Sequence, residues 1–180
     1  MTEIPFFLGE AFLSAVWLLL RAAVWLRQKR IDWKREALLL LMYVNLAVIL
    51  RFVLYPMATV DGHVQPLLFD PAAAIPPRVN LVPFVKLIAV KSKKLLRLNV
   101  LGNVSLFLPT GVLLPILYQR LDSFWKVTAV GALMSLCVEL LQLPFRARVT
   151  DIDDLILNTL GVMIGYGIWA LARRLAAKKS

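Results

Sequence analysis

The sequence predicts an all-α integral membrane protein: a helical bundle of about five transmembrane helices plus one interfacial or re-entrant amphipathic segment. Three observations predict it. The 180 residues are 60% hydrophobic and 18% charged, whereas soluble domains run near 45–50% apolar and about 25% charged. The apolar residues come in blocks of about 17–25, the length that crosses a bilayer. The Lys and Arg residues behind the net charge of +10 cluster in short stretches between and after those blocks, as in membrane orientation and anionic headgroup contact. No zinc spacing, RNA-binding motif or glycine-rich phosphate loop accompanies them, which speaks against a nucleic-acid partner.

The first spanning block runs from about Pro5 to Leu26 and the second from about Ala37 to Ala58. The third covers about Leu98 to Tyr118, the fourth Phe124 to Leu143, and the fifth Leu155 to Ala172. Glu10 and Arg21 interrupt the first block; Asn99, Asn103, Pro109 and Pro115 interrupt the third. Such breaks are tolerated where neighbouring helices satisfy the backbone. Residues 1–58 form an N-terminal pair of helices, and residues 59–97 the longest non-spanning stretch. Its first half, with Pro66, Pro71, Pro76, Pro77 and Pro83, predicts an irregular loop. Its second half, residues 84–97, alternates bulky apolar residues with lysines. Two readings stay open there: an amphipathic segment in the interface plane, or an extension of the third helix. Pro109 and Gly111 predict a kink in the third helix, and Gly161 and Gly165 a small-residue face for close helix approach.

Cys137 stands alone inside an apolar block, so no internal disulfide is possible, and a single histidine, His63, excludes a multi-histidine metal site. The first apolar stretch is long and preceded by Glu3, which argues against a cleaved signal peptide. Arg27, Lys29, Arg30, Lys34 and Arg35 in the first connection, and Arg173, Arg174, Lys178 and Lys179 in the tail (residues 173–180), fall on one side with five helices. That side should be the cytoplasm, with the N-terminus outside. Lys86, Lys91, Lys93, Lys94 and Arg97 oppose this orientation unless their segment is interfacial or re-entrant.

The polar residues of the spans are the most informative feature. Asn99 and Asn103 share a face near the start of the third helix, and Glu139 and Gln142 a face near the end of the fourth. Arg148, Asp151, Asp153 and Asp154 follow, and Asp151, Asp154 and Asn158 have helical spacing at the start of the fifth. Consecutive helices run antiparallel, so these positions share one leaflet, joined by Arg51 and Glu10. An ionised group at mid-bilayer costs about 2.5–3.5 kcal/mol on insertion scales. Glu10, Arg51 and Glu139 are therefore expected to face the bundle interior, with Arg51 or Arg148 a natural counter-ion for Glu139. The expectation is a polar pocket open to one face, although each residue alone could simply join helices.

The run Asn103-Val-Ser-Leu-Phe107-Leu-Pro109-Thr-Gly111, then Glu139-Leu-Leu-Gln142, then Arg148-Val-Thr-Asp151-Ile-Asp153-Asp154, then Asn158-Thr-Leu-Gly161 and Gly165 resembles the VanZ-like family. Asn80-Leu-Val-Pro83-Phe84 is similar to that family's upstream motif. The resemblance covers residues 80–172, which marks a VanZ-like domain overlapping the loop. It implies a bacterial plasma (inner) membrane protein associated with reduced susceptibility to teicoplanin-type lipoglycopeptides.

Three functions follow as expectations. The first is a non-catalytic protein that binds an amphiphile in the outer leaflet: a membrane lipid, a cell-wall precursor or a lipoglycopeptide. Its ligand-binding residues would be Arg51, Asn103, Glu139, Gln142, Arg148, Asp151, Asp153, Asp154 and Asn158, with basic Arg148 meeting an anionic group. The second is an intramembrane enzyme acting on a polyprenyl or phospholipid phosphate through Glu139, Asp151, Asp153 and Asp154. In it Glu139, Asp151 and Asp154 would hold Mg²⁺. No Ser, Cys or His sits in a recognisable triad, which ranks this second. The third is an assembly scaffold using the glycine face. No cofactor is expected, and a homo-oligomer is compatible with so few helices.

Overall fold

The computed structural model describes residues 2–178 except 29, 57–58, 76, 86–87, 89, 91 and 147. Five helices are long and apolar enough to cross a membrane. The chain divides into two compact units, Met1–Pro77 with Leu143–Arg148, and Arg78–Gln142 with Val149–Ser180.

The first unit holds β1 (Thr2–Ile4), α1 (Phe6–Gln28), α2 (Trp33–Leu54), β2 (Thr59–Val60), β3 (His63–Val64), β4 (Leu67–Phe69) and a 3₁₀ turn at Pro71–Ala74. Asp32 starts α2 by accepting the Lys34 and Arg35 N–H groups at 3.1 and 3.2 Å, as N-cap residues do. Pro56 ends it, because the residue before a proline is pushed out of helical geometry and Tyr55 is extended at φ −83, ψ 145. The second helix therefore lies about four residues earlier than its hydrophobicity suggested. Met42, Asn45, Ile49 and Val53, at helical spacing, form its buried face. Contacts joining α1 to α2 include an Arg21–Glu36 ion pair, the Ser14 and Tyr43 hydroxyls at 2.6 Å, and the Trp17 and Tyr43 rings at 5.0 Å. No residue of α1 is buried, so its apolar side chains are left for lipid.

The stretch expected to be irregular carries short pairings. β1 runs antiparallel to β4, and β2 to β3. The hairpin turns on Asp61-Gly62, both at positive φ (50 and 76), the geometry a two-residue hairpin loop favours.

The second unit holds β5 (Val79–Asn80), α3 (Lys93–Leu117), α4 (Phe124–Gln142), β6 (Thr150–Asp151) and α5 (Ile152–Ala177). α3 starts at Lys93, with Ser92 Oγ accepting the Leu95 N–H, five residues before the sequence boundary. Lys93, Lys94 and Arg97 thus belong to the helix. Upstream, the Ile88 N–H donates to the Phe84 carbonyl at 2.9 Å. Lys29, Pro76, Lys86, Lys91 and Lys179 lie outside the described residues. Helix α3 continues through Pro109 and Pro115.

Helices α3 and α5 meet along glycines. A Cβ on Gly161 would overlap the Val104 carbonyl oxygen, one on Gly165 that of Leu108, and one on Gly111 that of Val162. Backbones can approach this closely only without side chains. Gly111 therefore serves contact between helices, with α3 unbroken around it. On α4, Val127, Gly131, Ser135, Val138, Glu139 and Gln142 form the buried face, and Gly131 takes the Val162 side chain.

Candidate functional site

The polar residues of the second unit gather where α4 ends and α5 begins. Glu139, Gln142, Asp151, Asp153 and Asn158 are all buried, between 1% and 6% exposed. Charged groups buried in a membrane bundle must be satisfied locally, and here donors arrive from three segments. The Asp151 N–H donates to Glu139 Oε2 at 3.0 Å, and Thr150 Oγ1 to the Glu139 carbonyl at 2.9 Å. Asp151 caps α5 by accepting the Asp153 N–H at 3.1 Å. Asp153 and Asp154 occupy the first turn of α5, where the helix dipole favours negative charge.

The loop before α3 supplies further donors. β5 runs parallel to β6, with the Thr150 N–H bonded to the Arg78 carbonyl at 3.1 Å. That pairing sets Asn80 against Asp151, and Asn80 Nδ2 donates to Asp151 Oδ1 at 3.0 Å. Four residues on, the Phe84 N–H donates to Asp153 Oδ1 at 2.7 Å. Phe84 holds φ 65, a left-handed conformation that a bulky residue adopts only when its surroundings impose it. Asn80 to Phe84 is thus a strap tied across the carboxylates. On α3, Asn103 Nδ2 donates to Asp154 Oδ1 at 2.5 Å. One turn deeper, Asn158 Nδ2 donates to Ser135 Oγ on α4 at 2.9 Å.

So Asn103, Glu139, Gln142, Asp151, Asp153, Asp154 and Asn158 all fall in this unit. Asn99 does not join them, because it is exposed one turn before Asn103. Arg51 and Arg148 belong to the first unit. There Arg148 donates from Nε to the Leu54 carbonyl at 2.8 Å and from Nη2 to that of Tyr55. A cation on the last carbonyls of α2 meets the negative end of that helix, a structural duty that its sequence context did not announce. Arg51 donates to the Pro56 carbonyl at 3.2 Å, and its guanidinium lies 5.4 Å from the Phe6 ring and 5.6 Å from the Phe52 ring. Its charge acts on Glu10. Among the described residues, no group of three His, Cys, Asp or Glu is arranged to hold a metal ion. Gly161 and Gly165 are occupied by α3 of the same chain.

Sequence reasoning missed Ser135 and the reach of the strap. Ser135 lies four residues before Glu139 on one face of α4, a spacing that would have found it. The bonds from Asn80 and Phe84 span about seventy residues, and no local periodicity signals them.

Comparison with known proteins places this arrangement. A curated relative, Protein VanZ of Enterococcus faecium, is 32% identical over 76 residues, which is 42% of this chain and 47% of that protein. The match thus spans about half the length of that relative. No solved structure matches the chain. The family profile described as VanZ/LLP1 matches residues 33–173, from the start of α2 into the last turns of α5. With most of the chain inside that match, the protein belongs to the VanZ/LLP1 family.

Proposed function

We propose that this membrane protein binds an amphiphile at the buried polar end of its second unit, and that in its host it lowers susceptibility to teicoplanin. The observation that carries the reading is the group Glu139, Asp151, Asp153 and Asn158, all nearly inaccessible at the ends of membrane-length helices. Helix association alone does not call for so many carboxylates at one depth. The ligand is a membrane lipid, a cell-wall precursor or the lipoglycopeptide itself, each with a polar head and an apolar tail. Asn103, Gln142 and Asp154 border the buried group. The site faces outward from a bacterial plasma membrane, with the N-terminus outside and the tail from Arg173 in the cytoplasm, the orientation that the positive charge of the first connection favours. The teicoplanin link rests on family membership.

The test is susceptibility of a sensitive bacterial host to teicoplanin beside vancomycin. Wild type is compared with Glu139→Gln and Arg148→Ala at matched membrane expression. Protection against teicoplanin alone, lost in both variants, is the expected result. A well-expressed wild type that protects against neither drug removes the resistance role and leaves lipid binding to be measured directly.

A further inference from the structure

The chemistry of the ligand's head group can be read from what the second unit leaves unmet. Asp153 uses Oδ1 to accept the Phe84 N–H, while its Oδ2 is buried and has no hydrogen-bond partner among the described residues. Asn158 uses Nδ2 on Ser135, and its Oδ1 is buried and open in the same way. Ser135 stands one helical turn from Glu139 on α4, so the Asn158 carboxamide lies about one turn beneath the carboxylate group. Both open atoms are acceptors. The open hydroxyl of Thr128 lies at the opposite end of α4. Buried acceptors without a donor are costly, so whatever completes this end must bring N–H or O–H groups.

A phosphate brings only acceptors and repels a carboxylate. A primary ammonium brings three donors and a positive charge, and a charge-assisted bond to a carboxylate is among the strongest available. Beside the strap, Leu81, Val82 and Ile88 are 71%, 59% and 82% exposed, an apolar surface suited to acyl chains. We infer that Asp153 receives the primary ammonium of an aminophospholipid head group. The inference rests on the amphiphile-binding reading above. Asp153 Oδ2 is reached when the Asn80–Phe84 strap lifts, and the strained Phe84 backbone is where it yields.

The test is lipid retention by the purified full-length chain, read by native mass spectrometry. The protein is offered equimolar phosphatidylethanolamine, phosphatidylcholine and phosphatidylglycerol with matched acyl chains. Ethanolamine and choline heads carry the same positive charge, but only the first has N–H donors. Wild type should retain the ethanolamine lipid about tenfold over either competitor, as one charge-assisted hydrogen bond provides. Asp153→Asn should erase that preference, and Asp122→Asn, in the loop between α3 and α4, should keep it. Should Asp153→Asn fail to fold, the wild-type contrast between ethanolamine and choline heads decides alone. Equal or greater retention of phosphatidylcholine or phosphatidylglycerol overturns the ammonium assignment and leaves amphiphile binding standing. Retention of none of the three overturns amphiphile binding itself.

Discussion

Replacing Gly161 with alanine adds one methyl group to the α3–α5 seam, and the structure says what it strikes. The new Cβ would collide with the Val104 carbonyl oxygen, and with the carbonyl carbon and Cα of the same residue at 3.1 Å. These are backbone atoms, which cannot swing aside as a side-chain tip can, so the helices must part. Forcing volume into a packed seam costs about 1–3 kcal/mol. Asn103, the residue before Val104, donates to Asp154 two turns above Gly161, and parting the helices strains that bond as well, at about 0.6 kcal/mol for an interhelical hydrogen bond. Alanine is intrinsically better in a helix than glycine by about 1 kcal/mol, which masks part of the loss. The proper reference is therefore Gly102→Ala on α3 and Gly167→Ala on α5, where an added Cβ meets nothing within 4 Å. Relative to those controls, Gly161→Ala should be less stable by about 1–3 kcal/mol. Thermal unfolding of the detergent-solubilised protein, followed by size-exclusion chromatography, measures the difference. A Gly161→Ala melting point equal to that of Gly167→Ala would refute the packing argument.

Other outcomes follow from single contacts. Glu36→Gln leaves Arg21, 14% exposed in its side chain, without its anion; it should destabilise the protein by about 1–3 kcal/mol. The double replacement with Arg21→Leu should recover much of that loss, and a double variant no better than the single one contradicts the pairing. Asp154→Leu removes the acceptor of Asn103 and should lower stability by about 0.6–1.7 kcal/mol, whereas Asp122→Leu, in an exposed loop, should shift it far less; equal effects in unfolding experiments would deny the Asn103 bond its role. Cys137, exposed on α4, should react in intact membranes with an apolar maleimide and resist a charged, membrane-impermeant one. Rapid labelling by the charged reagent would mean that this face of α4 meets water.

The helices were legible because apolar blocks of membrane length are a strong signal, and their errors have local causes. The second helix stops at Leu54 because Pro56 follows, which hydrophobicity ignores, and the expected end at Ala58 lies outside the described residues; the Leu98 start fell late because Lys93, Lys94 and Arg97 look foreign to a span yet form the outer turns of α3. Most polar residues gathered as helical spacing suggested, since Glu139, Gln142, Asp154 and Asn158 sit on faces that antiparallel succession brings together. Arg148 shows what spacing cannot announce: its Nε and Nη2 donate to α2 carbonyls, a contact set by segments far apart in sequence. The Arg21–Glu36 pair went unread although the short turn between α1 and α2 sets both at one level. The strap stayed invisible because a parallel pairing of β5 with β6 depends on chain segments far apart in sequence.

That pairing also bears on the order in which the protein is made. Val79 to Phe84 leaves the ribosome well before Thr150 to Asp153, with two membrane helices synthesised in between. The donors on the strap must wait, solvated by water or headgroups, until the last helix arrives. When α5 enters, its buried acids and the strap N–H groups satisfy one another, which offsets the desolvation of both. A chain cut short before Asp151 would keep four membrane-length helices and have nothing to fasten the strap.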